Sequence, residues 1–205
     1  MRKYFIVMAA VLLCCSVAFG QKTNKTSVGV KLGLNLSQFR LPVDYPDYDA
    51  QWKAGIAGGI FIERKLSKKF DLQIDFLYSQ MGAEVNDPLF GHNYRFNYFS
   101  MPLIAKWNFY KSMKLFAGPQ CDILLRGTDR MDGEGTQVVT NNTEDIDLGW
   151  TVGVEGWVQN KVCIGVRYMS GTKDLSPANE TFTAYNQGFQ ITVGYKLFPC
   201  TKKKK

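Results

Sequence analysis

The chain has 205 residues and a formal charge of +7, with 45% apolar and 14% aromatic residues. Six of its basic residues lie at the two ends, where Arg2 and Lys3 open the chain and lysines 202–205 close it. Without these six residues the charge is +1, and no basic stripe of the kind that nucleic-acid-binding domains carry remains. We therefore expect no nucleic-acid partner.

The first twenty residues have the pattern of a secretory signal peptide. A basic start is followed by an apolar run from Tyr4 to Leu13, and small residues at Ala18 and Gly20 precede Gln21. This run is shorter than the roughly 20 residues that a membrane-spanning helix needs. We expect a signal peptide over residues 1–20 that is cleaved near Gly20, a single β domain over residues 21–198, and a basic periplasmic tail over residues 199–205.

Beyond the signal peptide, apolar residues recur at every second position in eight stretches, which predicts eight β-strands. In chain order, the first four apolar faces span Val28–Leu36, Ile56–Ile62, Phe70–Tyr78 and Phe99–Trp107. The last four span Leu115–Leu125, Ile146–Val154, Val162–Tyr168 and Phe189–Leu197. Pro102 removes one backbone donor from the fourth strand, so we expect a bulge or a local opening there.

The connections between these strands alternate strictly between short and long. Short ones fall at residues 66–69, 110–112 and 157–160, and long polar ones at residues 37–52, 82–93, 126–145 and 171–186. This alternation is typical of outer-membrane barrels, whose periplasmic turns are short and whose extracellular loops are long. The predicted fold is all-β: an eight-stranded antiparallel up-and-down transmembrane β-barrel with four long extracellular loops and three short periplasmic turns.

The second face of the strands combines charged residues with many glycines. Glycine weakens a strand face that is exposed to water, but it fits a narrow lumen in which long side chains share the space. This favours a membrane barrel over a soluble carrier barrel with the same alternation. We expect a salt-bridged lumen network with a structural role, made of Lys31, Glu63, Asp75, Lys106, Asp122, Asp147, Glu155, Arg167 and Lys196.

Aromatic residues near the strand ends are expected to form the two interfacial girdles of such a barrel: Tyr78, Trp107, Phe109, Tyr110, Trp150, Trp157, Tyr168 and Tyr195. The alternation also places Cys121 outside the barrel and Cys163 inside it. A disulfide between these two residues is therefore not expected.

Several strings resemble the PorT-like outer-membrane β-barrel family of Gram-negative bacteria, over almost the whole mature chain. They are VGVKLGLNLSQF at Val28–Phe39, FDLQIDFLYSQMG at Phe70–Gly82, NYFSMPLIAKWNF at Asn97–Phe109, LFAGPQCDILL at Leu115–Leu125 and GFQITVGYKLF at Gly188–Phe198. The chain departs from the family pattern at Ser100, where relatives often carry an acidic residue. The resemblance implies an outer-membrane location, lipids as neighbours and assembly by the barrel-assembly machinery.

The sequence offers little catalytic chemistry. Its single histidine, His92, is expected to be a solvated loop residue, and no cluster of histidine and cysteine has metal-ligand spacing. The acidic third loop does not match the spacing of a calcium-binding EF-hand; its residues are Asp129, Asp132, Glu134, Glu144 and Asp145. We expect no enzyme activity and no cofactor.

The first loop has aromatic residues suited to contact with a partner, namely Tyr45, Tyr48 and Trp52. The alternative is a rim loop that is held down by its own tyrosines. The expected function is a structural or binding role through the extracellular loops, toward an extracellular protein or glycan. The alternatives are a narrow pore, a component of a secretion or envelope assembly, and an outer-membrane enzyme, which the single histidine disfavours.

Overall fold

The computed structural model describes residues 26–40, 49–86, 91–131, 135–140, 146–159, 161–174 and 184–198. The predicted signal peptide, the basic tail, Tyr45 and Tyr48 lie outside this part of the chain. Within it there are nine strands: β1 (Thr26–Arg40), β2 (Asp49–Lys65), β3 (Phe70–Asn86), β4 (Gly91–Tyr110), β5 (Met113–Met131), β6 (Gly135–Val138), β7 (Ile146–Val158), β8 (Val162–Asp174) and β9 (Tyr185–Phe198).

Eight of these strands form a closed antiparallel ring, as the alternation predicts. Each strand from β1 to β5 pairs with the next one, β5 pairs with β7, and β7, β8 and β9 follow in order until β9 pairs with β1. The short strand β6 pairs with β5 alone and extends the connection between β5 and β7 as a hairpin. The sequence pattern did not predict β6, because all four of its residues are exposed and carry no apolar face.

The strands reach further into the predicted long loops than the sequence indicated. β1 continues to Arg40 and β2 starts at Asp49, so Trp52 lies within a strand and not in the first loop. His92 likewise lies in β4. We refer to the end of the barrel that carries residues 66–69, 111–112, 159 and 161 as the short-turn end, and to the opposite end as the long-loop end.

The outer face of the barrel is apolar over most of its height. Leu32 and Leu34 of β1 expose 70% and 64% of their surface, and the outward residues of the neighbouring strands are similar aliphatic and aromatic side chains. Four rings form a continuous outer band near the long-loop end, with centroids 5.3–5.9 Å apart: Trp52, Phe189, Tyr168 and Trp150. Such a band is typical of an interfacial aromatic girdle.

Beyond this band the polarity of the wall inverts. On β4, the inward residues Tyr94, Phe96 and Tyr98 are buried, whereas Asn93, Arg95 and Asn97 have the opposite orientation. We call this region, residues 49–53, 80–86, 91–98 and 124–131, the extension. Its inward apolar residues belong to one cluster, which Phe39, Met169 and Ala184 complete. We call it the mouth cluster: Phe39, Met81, Ala83, Val85, Tyr94, Phe96, Tyr98, Leu124, Met169 and Ala184.

A bulge in β5 coincides with this inversion. The pairing of β4 with β5 shifts between Asn97 and Tyr98, where the partners change from Arg126 to Leu124 and leave Leu125 as the extra residue. A bulge re-aims the side chains that follow it and strengthens the local twist. The wall therefore changes from lipid-facing to water-facing character at an irregularity of its own hydrogen-bond ladder.

A second irregularity separates β2 from β3 between Trp52 and Ala57. Two side chains of β1 reach the backbone of β3 across this gap: Ser37 both accepts from the Gly82 amide and donates to its carbonyl at 2.9 Å, and Asn35 donates to the Gln80 carbonyl at 2.8 Å. Buried backbone groups need partners. These inward polar residues of β1 therefore seal the opening in the wall.

The predicted opening at Pro102 is also present. The pairing of β3 with β4 runs to Ile74 opposite Leu103 and resumes only at Leu77 opposite Ser100. The missing donor of the proline ring accounts for this interruption.

Some glycines of the wall are required by close contact between strands. A Cβ atom at Gly59 would lie 2.0 Å from the backbone oxygen of Phe76, whereas a Cβ atom at Gly156 would meet nothing within 4 Å. We expect Gly59→Ala to lower the free energy of unfolding by about 1–3 kcal/mol through overpacking, and Gly156→Ala to leave it nearly unchanged. Urea titration in detergent micelles measures both values, and equal effects of the two substitutions would contradict the close approach.

Candidate functional site

The short-turn half of the lumen contains a balanced ion-pair network around Glu63. The carboxylate of Glu63 lies 3.1 Å from the Nζ atoms of both Lys106 and Lys114, and Lys196 forms a third short contact with it. Lys106 also binds Glu155 at 2.5 Å, and Lys114 binds Asp71 at 2.8 Å. Three carboxylates thus face three ammonium groups, so the buried charges of this network neutralise one another.

Trp157 lies inside this network and not in the outer girdle, where the sequence analysis placed it. It is only 5% exposed, and its Nε1 donates to Glu155 at 2.7 Å. The Nζ atom of Lys196 lies 3.9 Å from the centre of its ring, a cation–π contact. The physical reason is parity: Trp157 follows Glu155 by two residues and therefore points to the same side of the strand.

The middle of the lumen is organised by Asp75, which is completely buried. Lys31 binds its carboxylate at 2.9 Å, Arg167 lies 3.5 Å from it, and Gln73 donates a further hydrogen bond. Two cations therefore face one carboxylate at this level.

The long-loop end of the lumen contains two carboxylates at directly opposed positions of β5 and β7, Asp122 and Asp147. Gln120 donates to Asp122 at 2.8 Å, and the backbone amides of Thr172 and Lys173 donate to one oxygen of Asp147 at 3.2 and 3.1 Å. No lysine or arginine of the described residues forms an ion pair with either carboxylate.

All nine residues of the predicted lumen network are therefore inside the barrel and buried. Seven of them are joined by ion pairs, and Asp122 and Asp147 lie apart from these. The prediction omitted two members, Asp71 and Lys114. Their signal was present, because each shares the parity of the polar face at the start of its strand.

Polar contacts also occur within the extension. The Nδ1 atom of His92 lies 2.9 Å from a carboxylate oxygen of Asp129, so the histidine is not the freely solvated loop residue that we expected. Lys53 donates to the Tyr94 carbonyl at 2.9 Å and also to the side chain of Asn93. Of the predicted acidic loop residues, only Asp129 lies in the described part of the chain.

The outer surface of the extension is basic. Arg126 and Arg130 lie four residues apart on the same face of β5, and Arg95 of β4 pairs with Thr128 between them. All three arginines are exposed. We call them the arginine band. Diagonal neighbours across a strand pair lie about 7–8 Å apart, so the three guanidinium groups can contact one anionic ligand.

The described residues include no group of three or more histidine, cysteine, aspartate or glutamate side chains that could hold a metal ion. In the same part of the chain, no helix has the length and apolar character needed to cross a membrane. The two described cysteines, Cys121 and Cys163, are both free, as their opposite orientations predicted.

A closed antiparallel barrel with an apolar exterior, an aromatic girdle and a charged interior defines a transmembrane β-barrel. Comparison with known proteins agrees with this class. The model of the family described as "Outer membrane protein beta-barrel domain" matches residues 19–176. The chain belongs to this family and is an outer-membrane protein. A search of curated proteins finds no match.

Two solved structures with the same fold are those of NspA and Ail. Neisserial surface protein A (NspA) is 15% identical, with a TM-score of 0.56 over 84% of this chain and 99% of that chain. Ail, the attachment invasion locus protein of Yersinia pestis, was solved in complex with the heparin analogue sucrose octasulfate. It is 11% identical, with a TM-score of 0.51 over 84% of this chain and 99% of that chain. At these identities the likeness concerns the fold.

The central position of Glu63 leads to a stability prediction. Glu63→Gln removes the carboxylate that three lysines share. Lys106 and Lys114 keep Glu155 and Asp71 as partners, but Lys196 loses its partner and one buried positive charge is left uncompensated. We therefore expect a loss of about 3–5 kcal/mol in the free energy of unfolding. Glu84→Gln, in the extension, is a matched control with an expected loss of at most about 1 kcal/mol. Urea titration of both variants tests this, and a Glu63→Gln variant as stable as the control would contradict a structural role for the network.

The environment of Lys53 leads to a pH prediction. Burial, followed by the positive charge of Arg95, lowers the pKa of Lys53 to about 8. The folded state thus disfavours the charged amine, and stability should rise as the pH increases from about 8 toward the ordinary lysine pKa of 10.5. NMR titration of ¹³C-labelled lysines in micelles, with Lys53→Arg for assignment, measures this pKa directly. A midpoint above 10 would refute the assignment.

Proposed function

We propose that this protein is a non-catalytic, non-conducting surface barrel whose extension binds an anionic glycan outside the cell. The observation that carries the proposal is the inversion of wall polarity, which gives the extension an apolar core of its own and a water-facing outer surface. A wall that served only as a membrane anchor would have no need of this second core. With the short turns on the periplasmic side, as is usual for such barrels, the extension faces the exterior.

The chemistry of the outer surface supports an anionic ligand. The arginine band presents three exposed guanidinium groups, which bind sulfate and phosphate groups through paired hydrogen bonds. The nearby carboxylate of Glu84 is engaged by Asn93 at 2.8 Å. Ail, a barrel of the same fold, was solved in complex with the heparin analogue sucrose octasulfate, which supports this proposal.

The contents of the lumen argue against a pore. An eight-stranded barrel leaves only enough interior room for side chains. Here that room is filled at two levels: by the Glu63 network with Trp157, and by the mouth cluster, in which Tyr98 and Phe96 are buried. Ions would have to displace paired buried charges in order to pass.

Two finer assignments remain proposals. The sequence resembles the PorT-like family, and this resemblance favours a second role as a component of a secretion or envelope assembly. The polar outer surface of the extension would then contact a protein as well as a glycan. The absence of enzyme activity is likewise a proposal. It rests on the single histidine, whose ring is held against Asp129 and stacks on Tyr94 with centroids 5.7 Å apart.

Glycan binding is tested on intact Gram-negative cells that display the protein. Cells with the wild-type chain should bind fluorescent heparin in a salt-dependent manner, and replacing Arg95, Arg126 and Arg130 by alanine should reduce this binding at least about tenfold because three charge-assisted contacts are lost. Replacing Lys65, Lys68 and Lys69 at the short-turn end is the matched control and should have no effect. Equal binding by both variants would refute the role of the arginine band.

The closed lumen is tested by conductance measurements on the purified wild-type protein in planar lipid bilayers. We expect no stepwise channel currents, since the interior is plugged at two levels. A wide porin reconstituted in the same bilayers serves as the positive control for the assay. Regular ohmic steps from the wild-type protein would show a continuous water path and would favour the pore alternative.

A further inference from the structure

Neither of the opposed carboxylates at the long-loop end of the lumen forms an ion pair among the described residues, unlike the other buried carboxylates of the lumen. The charge of Arg167 acts on Asp122, but its guanidinium group pairs with Asp75. At the short-turn end three carboxylates meet three lysines, and in the middle Asp75 meets Lys31 and Arg167. Asp122 is 5% exposed and Asp147 is 1% exposed. With these two carboxylates the lumen has six carboxylates and five cations, so one buried negative charge at this end lacks a counter-charge. Such a charge costs several kcal/mol, which favours a positive partner.

Three buried oxygen atoms of the same pocket have no hydrogen-bond partner. They are Oδ2 of Asp147, Oε1 of Gln120 and Oδ1 of Asn186. All three residues line one pocket together with Asp122 and Gly171. The side chains of Gln120 and Asn186 are more than nine-tenths buried, so their unpartnered oxygens cannot be satisfied by bulk solvent. Each of these atoms is a hydrogen-bond acceptor, so the pocket is lined by three oxygen atoms with available lone pairs.

The surrounding groups hold this arrangement in place. The amides of Thr172 and Lys173 fix one oxygen of Asp147, which leaves the other oxygen free. The amide nitrogen of Gln120 is bound to Asp122, which leaves its carbonyl oxygen free. Gly171 has no side chain to cover the carboxylate, because a Cβ atom there would lie 2.1 Å from Oδ2 of Asp147.

We propose that this pocket binds a divalent hard cation of the calcium type, with Asp122, Asp147, Gln120 and Asn186 as its side-chain ligands. Calcium prefers carboxylate and amide oxygens, which are the groups that the pocket offers. A bound cation would compensate the carboxylate charge that the cations of the lumen leave unbalanced. Water molecules would satisfy the lone pairs but would leave the charge in place. This site is independent of the proposed glycan binding, and neither fails with the other.

Terbium luminescence tests the site, because Tb³⁺ occupies calcium sites and Trp150 lines the same pocket and can sensitise it. We expect the full barrel in zwitterionic micelles to give a saturable signal that Ca²⁺ displaces. Asp147→Asn should weaken binding at least tenfold. Glu84→Gln, which changes a carboxylate of the extension, should bind like the wild type. The absence of a saturable signal from the wild type would overturn the proposal.

Two further variants distinguish the loss of a cation-binding side chain from the loss of the folded barrel. Gly171→Ala removes no ligand and no charge, but its methyl group would displace the carboxylate of Asp147, so it should also lose terbium binding while still forming a heat-modifiable barrel on gels. Trp150→Phe should lose the luminescence yet keep a Ca²⁺-dependent rise in the thermal unfolding midpoint. Wild-type affinity in both Gly171→Ala and Asp147→Asn would overturn the site. So would a wild-type unfolding midpoint that responds to pH but not to Ca²⁺, since that result indicates a shared proton.

Discussion

The backbone of a membrane-spanning chain has no water with which to form hydrogen bonds in the hydrocarbon layer, and this constraint determines the rest of the structure. A sheet meets it only by closing on itself, as β1 does with β9 and β4 with β5. Closure with eight strands leaves an interior just wide enough for side chains. Every charge that enters this space must then find its partner there, which is why Glu63 is surrounded by three lysines and Asp75 by Lys31 and Arg167.

The wall of the barrel does not end where the membrane does. On β3, β4 and β5 the strands continue past the aromatic band, and their two faces exchange roles. Inward residues such as Tyr94 and Phe96 become the core of a small water-exposed unit, while outward residues such as Arg95 become its surface. The outer face of one sheet therefore contacts lipid along part of its height and water along the rest. The change at the Leu125 bulge gives the molecule a rigid body outside the membrane on which a ligand can be bound.

Much of the fold could be predicted from alternation alone. Lys31 and Leu32 have opposite environments because successive strand residues face opposite sides, and the same rule placed all nine predicted lumen residues inside. The prediction failed at the long-loop end, because it assumed that apolar residues face outward along the whole length of each strand. Tyr94 and Phe96 point inward although they are aromatic, so a search for apolar outer faces ended β3 and β5 too early and started β4 too late. Trp157 was wrongly assigned to the outer girdle because it is aromatic, although its position two residues after Glu155 places it on the inward face of the strand.

Other features depend on contacts that no single strand encodes. The gap between β2 and β3 is sealed by Ser37 and Asn35 of β1, and the pairing of Asp122 with Asp147 follows from the register of β5 against β7. Registers and bulges are set by the whole ring. The sequence therefore predicted which residues enter the lumen, but not which of them meet, nor that two of the carboxylates would form no ion pair.

The inversion of the wall is tested most directly by spin-label accessibility along β4. Labels at Leu103, Met101 and Phe99 should collide with oxygen dissolved in the lipid, labels at Asn97, Arg95 and Asn93 with a water-soluble nickel complex, and labels at Phe96 and Tyr94 with neither reagent. This pattern would establish a folded wall that passes from lipid into water. A label at Phe96 or Tyr94 that is fully accessible to nickel would contradict it, because the region would then be a solvated loop above a shorter barrel.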